Sequence, residues 1–133
     1  MPFTAALAPR CRVLMDEVYA ETYPDDWSFD EWWAWVIGSD EYAPDLMLVA
    51  AVGDRLVGFC HGWSRPFIKD LVVARDWRGC GLGSALLTTQ LETYAAAGAE
   101  FVDLKTDVVN TTAQSLYRRL GFVVIERVEP TPS

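Results

Sequence analysis

The feature that most constrains this chain is a short apolar strand that runs through a glycine-rich loop directly into a helix. Residues 71–87 read LVVARDWRGCGLGSALL, with Gly79, Gly81 and Gly83 at alternate positions. Amides at the start of a helix have no intrahelical acceptor and lie at the positive end of the helix dipole. Glycines lack a Cβ atom and reach positive φ, so an anion can approach the backbone closely. We therefore predict a site for a phosphate-bearing cofactor, with Arg78 adding positive charge; the simpler alternative is a strand-to-helix turn without a ligand.

Two common phosphate loops do not fit this segment. A Walker loop requires Gly-Lys-Ser/Thr, whereas Gly83 is followed by Ser84. A dinucleotide fingerprint requires glycine at position 84 or 86, where the chain has serine and leucine. Neither nucleoside triphosphate chemistry nor a dinucleotide-dependent oxidoreductase is therefore favoured.

The loop instead matches the pattern R-x-x-G-x-G over Arg78 to Gly83, and a second segment, NTTAQSLYRRLGF, covers residues 110–122. With these two segments, the chain resembles the GNAT superfamily of acetyl-coenzyme A-dependent N-acetyltransferases over about residues 46–128. The resemblance implies an α/β (mixed α+β) fold of three layers, in which helices flank a central mixed, mostly antiparallel sheet with splayed strands. It also implies acetyl-CoA as the co-substrate and no metal.

The resemblance assigns the cofactor contacts to the strand, to the loop and to the last helix. Main-chain groups near Leu71 and Val73 would hold the thioester end, and residues 78–84 would hold the pyrophosphate. Asn110 is equally well explained as a helix cap. The predicted cofactor-binding residues are Leu71, Val72, Val73, Arg78, Gly79, Cys80, Gly81, Leu82, Gly83, Ser84, Asn110, Ala113 and Tyr117.

Three residues are candidates for the chemistry. Tyr117 occupies the position of the family's usual acid and would protonate the departing thiolate, although it could also be a packed aromatic. Asp70 is the candidate base, and its surroundings resemble the diamine acetyltransferase branch, except that Lys69 replaces a glutamate. His61 has a suitable ordinary pKa, but a lone histidine on a strand is more often a packing residue. A base that acts through ordered water is the remaining alternative.

The acceptor amine is expected to contact the N-terminal helices and the loop between them. Tyr23, Asp25, Asp26 and Trp27 form an aromatic and acidic cluster that could hold an ammonium group or simply pack as a turn. The predicted substrate-binding residues are Tyr23, Asp26, Trp27, Asp70, Asp103 and Lys105. Trp32, Trp33 and Trp35 cannot all point inward from one helix, so at least one should lie at the rim of the site or at an oligomer contact.

Composition supports one compact domain over residues 1–133. Half of the residues are hydrophobic, six are tryptophan, and no apolar run approaches the length of a membrane span. The net charge of −8 argues against nucleic acid and mildly favours a cationic substrate. Three cysteines and one histidine lack metal-ligand spacing, so we expect reduced thiols, no metal site and a cytoplasmic protein without membrane contact.

The pattern of apolar residues, caps and glycines predicts four helices and five strands. Helices are expected over 8–21, 29–36, 82–97 and 111–120, and strands over 46–52, 56–63, 67–73, 101–106 and 122–128. The family usually has one further strand at each end, and neither is apparent here. The last predicted strand would then leave an open sheet edge, which a homodimer could cover.

Together these features predict an enzyme that transfers acetyl from acetyl-CoA to a primary amine by direct attack in a ternary complex. Cys80 lies at the pyrophosphate end of the site, so a covalent intermediate on it is disfavoured. The main alternative is a non-catalytic regulator that binds acyl-CoA, for which Lys69 is the principal support. The acceptor is left open between a small molecule and a peptide or protein amine.

Overall fold

The computed structural model describes residues 2–20, 27–105 and 111–124 and shows a four-stranded mixed sheet between two layers of helices. This confirms the predicted fold class. The helices are α1 (Ala8–Tyr19), α2 (Phe29–Ile37), α3 (Leu82–Ala96) and α4 (Thr111–Arg119), and the strands are β1 (Met47–Val52), β2 (Arg55–Trp63), β3 (Phe67–Val73) and β4 (Asp103–Leu104).

The sheet has the order β1-β2-β3-β4, and its last pairing is very short. β1, β2 and β3 are antiparallel neighbours, whereas β4 runs parallel to β3. Only Phe67 with Asp103 and Ile68 with Leu104 are paired between β3 and β4. Among the described residues, the β4 edge of β3 is therefore unpaired beyond Ile68, and β4 is shorter than the strand predicted over 101–106.

Each face of the sheet carries its own hydrophobic core. The face that α1 and α2 cover includes Val57, Phe59 and Val72 of the sheet, packed with residues such as Cys11 and Trp32. Helices α3 and α4 cover the other face, on which Cys60 and Ile68 pack with the residues Leu86, Leu87, Tyr94, Leu116 and Tyr117. The alternation of side chains along β2 and β3 thus gives the two helix layers separate partners.

Several local predictions are confirmed by backbone geometry. Ser28 and Glu31 form the reciprocal capping box of α2. The loop glycine of the β1–β2 hairpin, Gly53, has a φ of 59°, and Gly98 and Gly121, which follow α3 and α4, have φ values of 92° and 94°. These positive values are the reason that glycine ends both helices.

Other predictions need correction. Helix α1 ends at Tyr19, before the predicted end at 21, and residues 122–124 are not in a strand. The rest of the strand predicted over 122–128 lies outside the described residues. The homodimer prediction depends on the edge of that strand and stays a prediction.

Cys11, Cys60 and Cys80 are free thiols, and no group of three His, Cys, Asp or Glu side chains in the described part of the chain could hold a metal ion. None of the helices over residues 8–19, 29–37, 82–96 and 111–119 is long and apolar enough to cross a membrane.

Candidate active site

The glycine-rich loop presents open backbone at the start of α3. Gly79 and Gly81 have φ values of 80° and 86°, and a Cβ atom added to either would meet nothing within 4 Å. Gly81 is the N-cap of α3, no side chain caps the helix there, and the first helical hydrogen bond runs from the Ala85 amide to the Gly81 carbonyl. The amides of residues 82–84 are therefore available to an anion.

Gly83 differs from the other two loop glycines. Its φ is not positive, and an added Cβ would lie 3.6 Å from both Leu116 and Val73, an ordinary contact distance. Glycine permits positive φ at all three positions, but only Gly79 and Gly81 adopt it. This residue instead lies where the first turn of α3, the end of β3 and α4 meet.

Backbone groups of β3 point alternately toward β2 and toward the unpaired edge. The Ala74 amide donates to the Val57 carbonyl, and the register pairs Val72 with Phe59 and Leu71 with Cys60. Alternation in an antiparallel pair then directs the main-chain groups of Leu71 and Val73 away from β2, into the gap beyond the end of the β3–β4 pairing. The predicted cofactor strand thus has two residues whose main-chain groups, within the described part of the chain, have no strand partner along the gap.

Val72 does not fit its predicted role in cofactor binding. By the same alternation its main-chain groups face β2, and its side chain is buried in the core beneath α1 and α2. Neither part of the residue reaches the gap, so Val72 packs in the core behind the proposed cofactor strand.

Asp70 of β3 takes part in a buried polar contact with α1. The Tyr19 hydroxyl of α1 donates to its Oδ1 over 3.0 Å, and the Lys69 ammonium lies 3.8 Å from its Oδ2. Burial raises the pKa of the Asp70 carboxyl, while Lys69 and the hydrogen bond from Tyr19 oppose that rise. A raised pKa makes the Asp70 carboxylate a stronger base, and the hydrogen bond from Tyr19 holds it in place. Asp70 is therefore suited to accept a proton.

Tyr117 packs on the other face of the sheet, beside Leu71 and Cys60 in the core under α3 and α4. Its ring contacts Phe122 edge to face, with 5.9 Å between the ring centroids. Burial raises the pKa of the phenol, and the charges of Cys60 and Asp70 raise it further. The phenol is therefore protonated at neutral pH, as a proton donor must be, and Asp70 is close enough to act on its pKa.

His61 is fully buried between Phe59 and Trp63, whose ring centroid lies 4.4 Å from that of the imidazole. Neither ring nitrogen has a hydrogen-bond partner among the described residues. Burial, helped by the positive charge of Lys69, lowers the pKa of His61 to about 4. The imidazole is neutral at pH 7 and has no exposed atom with which to contact an acceptor.

A solvent-open cavity of about 270 Å³ lies at the point where β3 and β4 separate. Its walls combine Trp35 and Trp63, in edge-to-face contact at 5.6 Å, with Lys69 and Lys105. Trp27 extends the row of rings outward, because it contacts Trp35 at 5.7 Å. Of the helix tryptophans, Trp32 is buried and Trp35 is 43% exposed, so Trp35 is the one at the cavity.

The remaining predicted site residues fall into three groups. Lys105 lines the cavity, and Asp103 pairs with Phe67 beside it. Arg78 and Cys80 are exposed on the glycine loop, where the Cys80 thiol donates to the Trp77 carbonyl, and Leu82, Ser84 and Ala113 are half-buried on α3 and α4. Tyr23, Asp26 and Asn110 lie outside the described residues.

Sequence reasoning missed Tyr19, Trp63 and Arg65 as members of this region. Tyr19 follows the helical spacing of α1 and looks like a core residue until the fold brings it to Asp70, 51 positions later. Trp63 ends β2 and Arg65 lies in the β2–β3 turn, where a polar loop is the ordinary expectation. The lysines gave one weak indication of this region. The chain has only two, Lys69 and Lys105, and both line the cavity.

Comparison with known proteins accounts for the arrangement of strand, loop and helices. The family model described as "Acetyltransferase (GNAT) family" matches residues 10–122 of the chain. The chain belongs to the GNAT acetyltransferase family. An N-alpha-acetyltransferase of Arabidopsis thaliana is 36% identical over 81 residues, which cover 61% of this chain and 40% of the relative. The L-2,4-diaminobutyric acid acetyltransferase of Shouchella clausii is 34% identical over 87 residues, which cover 61% of this chain and 49% of the relative.

Solved GNAT structures share the fold over nearly the whole chain. A GCN5-related N-acetyltransferase from Sphaerobacter thermophilus superimposes with a TM-score of 0.76 at 28% identity, covering 91% of this chain and 39% of that one. An aminoglycoside N-acetyltransferase in complex with CoA has a TM-score of 0.72 at 18% identity, covering 98% and 91%. The chain spans about half the length of the two curated relatives named above.

Proposed function

We propose that this protein transfers an acetyl group from acetyl-CoA to a primary amine by direct attack in a ternary complex. The observation that carries the proposal is the edge of β3 beyond Ile68, which no residue of the described ranges pairs with. Leu71 and Val73 direct main-chain groups into a gap that has the open amides of α3 at one end and Tyr117 beside it. An extended cofactor arm can pair with that edge as an added strand would, while its phosphates reach the glycine loop.

The loop residues fit a pyrophosphate in shape and in charge. Gly79 and Gly81 leave open space where side chains would stand, and the amides of residues 82–84 point to the same end of α3. Arg78 is exposed beside them and supplies a positive charge. In this proposal, Ala113 and Tyr117 of α4 close the other side of the cofactor arm.

The chemistry requires one proton to leave the amine and one to reach the departing sulfur. The amine nitrogen forms a bond to the thioester carbonyl carbon, and the carbon–sulfur bond breaks. Asp70 accepts the proton from the amine, directly or through a water molecule, and Tyr117 donates its phenolic proton to the thiolate. Reprotonation of the phenol from solvent completes the cycle.

The names of the relatives narrow the class of acceptor only as far as amines. Their names include an N-alpha-acetyltransferase and a diaminobutyric acid acetyltransferase, so both peptide and small-molecule amines occur among them. The small cavity at Trp35 and Trp63 favours a small-molecule amine for this chain.

Replacing Gly81 with glutamate should weaken acetyl-CoA binding at least tenfold. The carboxylate would occupy the open space before α3 and repel the pyrophosphate that the amides otherwise hold. Calorimetric titration with acetyl-CoA measures the effect, and NADH and ATP serve as ligands that should not bind. Gly98→Glu is the matched control, because Gly98 ends the same helix with a φ of 92°, close to the 86° of Gly81, and also has open space at its Cβ position.

Equal acetyl-CoA affinity in the two variants would contradict the proposed cofactor site, and absence of binding in the wild type would contradict the acetyltransferase proposal. Binding without thiol release from any amine would instead favour the second candidate function, a regulator that binds acyl-CoA. The specific support for that candidate is the ion pair of Lys69 with Asp70, which occupies the proposed base.

Replacing Asp70 with asparagine should lower kcat/KM at least tenfold, because the amide cannot accept a proton from the amine. In the wild type, kcat/KM should rise with pH as the carboxyl ionises through its raised pKa. That rise should be absent from Asp70→Asn. Thiol release measured from pH 5 to pH 9 tests both statements. Asp54→Asn, which removes an exposed carboxylate in the β1–β2 turn, is the control for charge, and an unchanged pH profile in Asp70→Asn would remove Asp70 from the mechanism.

A further inference from the structure

The cavity between Trp35 and β4 is lined by positive charge in a protein whose net charge is −8. Lys69, Lys105 and Arg65 line it together with Trp35, Trp63 and Phe67, and none of the lining residues in the described part of the chain is acidic. Lys69 and Lys105 are the only two lysines among 133 residues. This small cavity therefore carries three positively charged side chains on a protein that is negatively charged overall.

The two lysines lie where the sheet opens. β3 and β4 pair at Phe67 with Asp103 and at Ile68 with Leu104, and the next register position would set Lys69 beside Lys105. Like charges directly opposite each other on neighbouring strands are destabilising, which favours separation of the strands at this point. An anion between the two ammonium groups would relieve their repulsion.

Two acidic groups near these cations, Glu41 and Asp70, are hydrogen-bonded to other residues. The Oε2 of Glu41 accepts hydrogen bonds from the Ser64 hydroxyl and the Arg65 amide, and Ser64 and Arg65 together hold the pKa of Glu41 below its usual range. Asp70 accepts the Tyr19 hydroxyl, and its side chain is only 10% exposed. Neither carboxylate lines the cavity. Asp70 offsets part of the Lys69 charge at 3.8 Å, whereas no ion pair within the described part of the chain engages Arg65 or Lys105, so their charges are available to a ligand.

The position of the cavity separates it from the proposed pyrophosphate site. The cavity adjoins Phe67 at the beginning of β3, whereas the glycine loop follows Val73 at the end of the strand. Six residue steps at about 3.3 Å each place these ends roughly 20 Å apart. Lys69 links the cavity to the proposed base, because its ammonium lies 3.8 Å from Asp70.

We propose that this cavity binds the carboxylate of an acceptor that carries both an amine and a carboxylate, a free amino acid or a close analogue. The inference rests on the proposed function. Lys69, Lys105 and Arg65 hold the carboxylate, Trp35 and Trp63 contact the apolar part of the acceptor, and the amine is directed toward Asp70. A volume of about 270 Å³ suits a ligand of this size.

The test compares amino acids with the amines that they become on loss of the carboxylate. Ornithine is paired with putrescine and phenylalanine with phenethylamine, and kcat/KM is measured for each by thiol release from acetyl-CoA. We expect the amino acid of at least one pair to be preferred by tenfold or more. A dipeptide with an acidic side chain and an amidated C-terminus tests whether the same site accepts a carboxylate from a peptide.

Lys69→Gln, Lys105→Gln and the double variant should reduce that preference, and the double variant should lower it at least tenfold. Using the ratio within a pair cancels any effect of Lys69 on the pKa of Asp70, because both members need the same base. Arg10→Gln is the control for net charge, since Arg10 is exposed on α1 and donates to the Asp54 carbonyl, away from the cavity. It should retain the wild-type ratio.

A direct binding measurement keeps this inference separate from the proposed function. 3-Phenylpropionate and its amide are titrated while tryptophan fluorescence is recorded, because Trp35 and Trp63 form the cavity wall. Binding of the carboxylate alone, lost in the double variant, supports the inference even if no amine is acetylated. Equal binding of acid and amide, or equal kcat/KM within both pairs, would overturn it while leaving acetyl transfer intact.

Discussion

Tyr117→Phe is expected to lower kcat for acetyl transfer about a hundredfold or more while leaving the affinity for acetyl-CoA within about twofold. The substitution removes one hydroxyl from a ring that otherwise packs against Phe122 and the core under α3 and α4. Loss of a positioned general acid typically costs 10²- to 10⁴-fold. The expectation is therefore a loss in the chemical step, with folding and cofactor binding retained.

The pH dependence distinguishes a proton donor from a packing residue. Burial and the charges of Cys60 and Asp70 raise the pKa of Tyr117, so the phenol keeps its proton through neutral pH and loses it only at alkaline pH. The wild-type rate should fall as the phenol ionises, and the small residual rate of Tyr117→Phe should lack that fall. Thiol release with the best acceptor of an amine panel, followed from pH 6 to pH 11, makes this comparison.

Tyr42→Phe is the matched control for this experiment. Tyr42 is also half-buried, and its ring packs edge to face on Trp33 under the first two helices, away from the β3–β4 gap. Removing its hydroxyl should leave kcat unchanged. A kcat for Tyr117→Phe within threefold of the wild type would show that Tyr117 only packs and that the thiolate receives its proton from another donor.

The sequence predicted the parts of this site that depend on local chemistry. A strand, alternating glycines and a strong helix former predict an anion-binding loop, because positive φ and open amides are properties of a few consecutive residues. The capping box at Ser28 and the glycines after α3 and α4 are predictable for the same reason. The structure shows the expected backbone geometry at the capping box and at Gly79, Gly81, Gly98 and Gly121, but Gly83 has no positive φ.

Contacts between distant segments could not be predicted in this way. The hydrogen bond from Tyr19 to Asp70 joins residues 51 positions apart, and the cavity joins α2, the β2–β3 turn and β4. Val72 shows the limit most clearly. A strand sequence does not reveal which residues face its hydrogen-bonded neighbour, and that orientation decides that Leu71 and Val73, not Val72, present main-chain groups to the gap.

His61→Phe is expected to make the protein more stable, by an amount that grows as the pH falls. The pKa of His61 is lowered from 6.5 to about 4 by burial and by Lys69, so the unfolded chain binds a proton that the folded protein excludes. The contribution of the neutral His61 to the free energy of unfolding is fully present above pH 6.5 and is lost as the pH falls from 6.5 to 4. Linkage gives a loss of about 2 kcal/mol at pH 5 and about 3 kcal/mol at pH 4.

Phenylalanine removes this titration and also removes two buried nitrogens that lack partners among the described residues. Its ring can occupy the space between Phe59 and Trp63 that the imidazole fills. Urea unfolding of both proteins at pH 7, 6 and 5 measures the difference in the free energy of unfolding. Asp70, whose raised pKa acts in the opposite direction, is present in both proteins and cancels from that difference.

The same variant decides whether His61 takes part in catalysis. A buried imidazole that only packs can be replaced by phenylalanine with kcat/KM retained within about threefold, whereas loss of a general base would cost a hundredfold or more. His61→Gln is a second variant that also lacks the titrating group. It shows whether any loss of activity in His61→Phe comes from the larger ring and not from the missing imidazole. If the stability difference between wild type and His61→Phe were independent of pH, His61 would have to be solvated and protonated normally. The imidazole would then be available to an acceptor amine as a base.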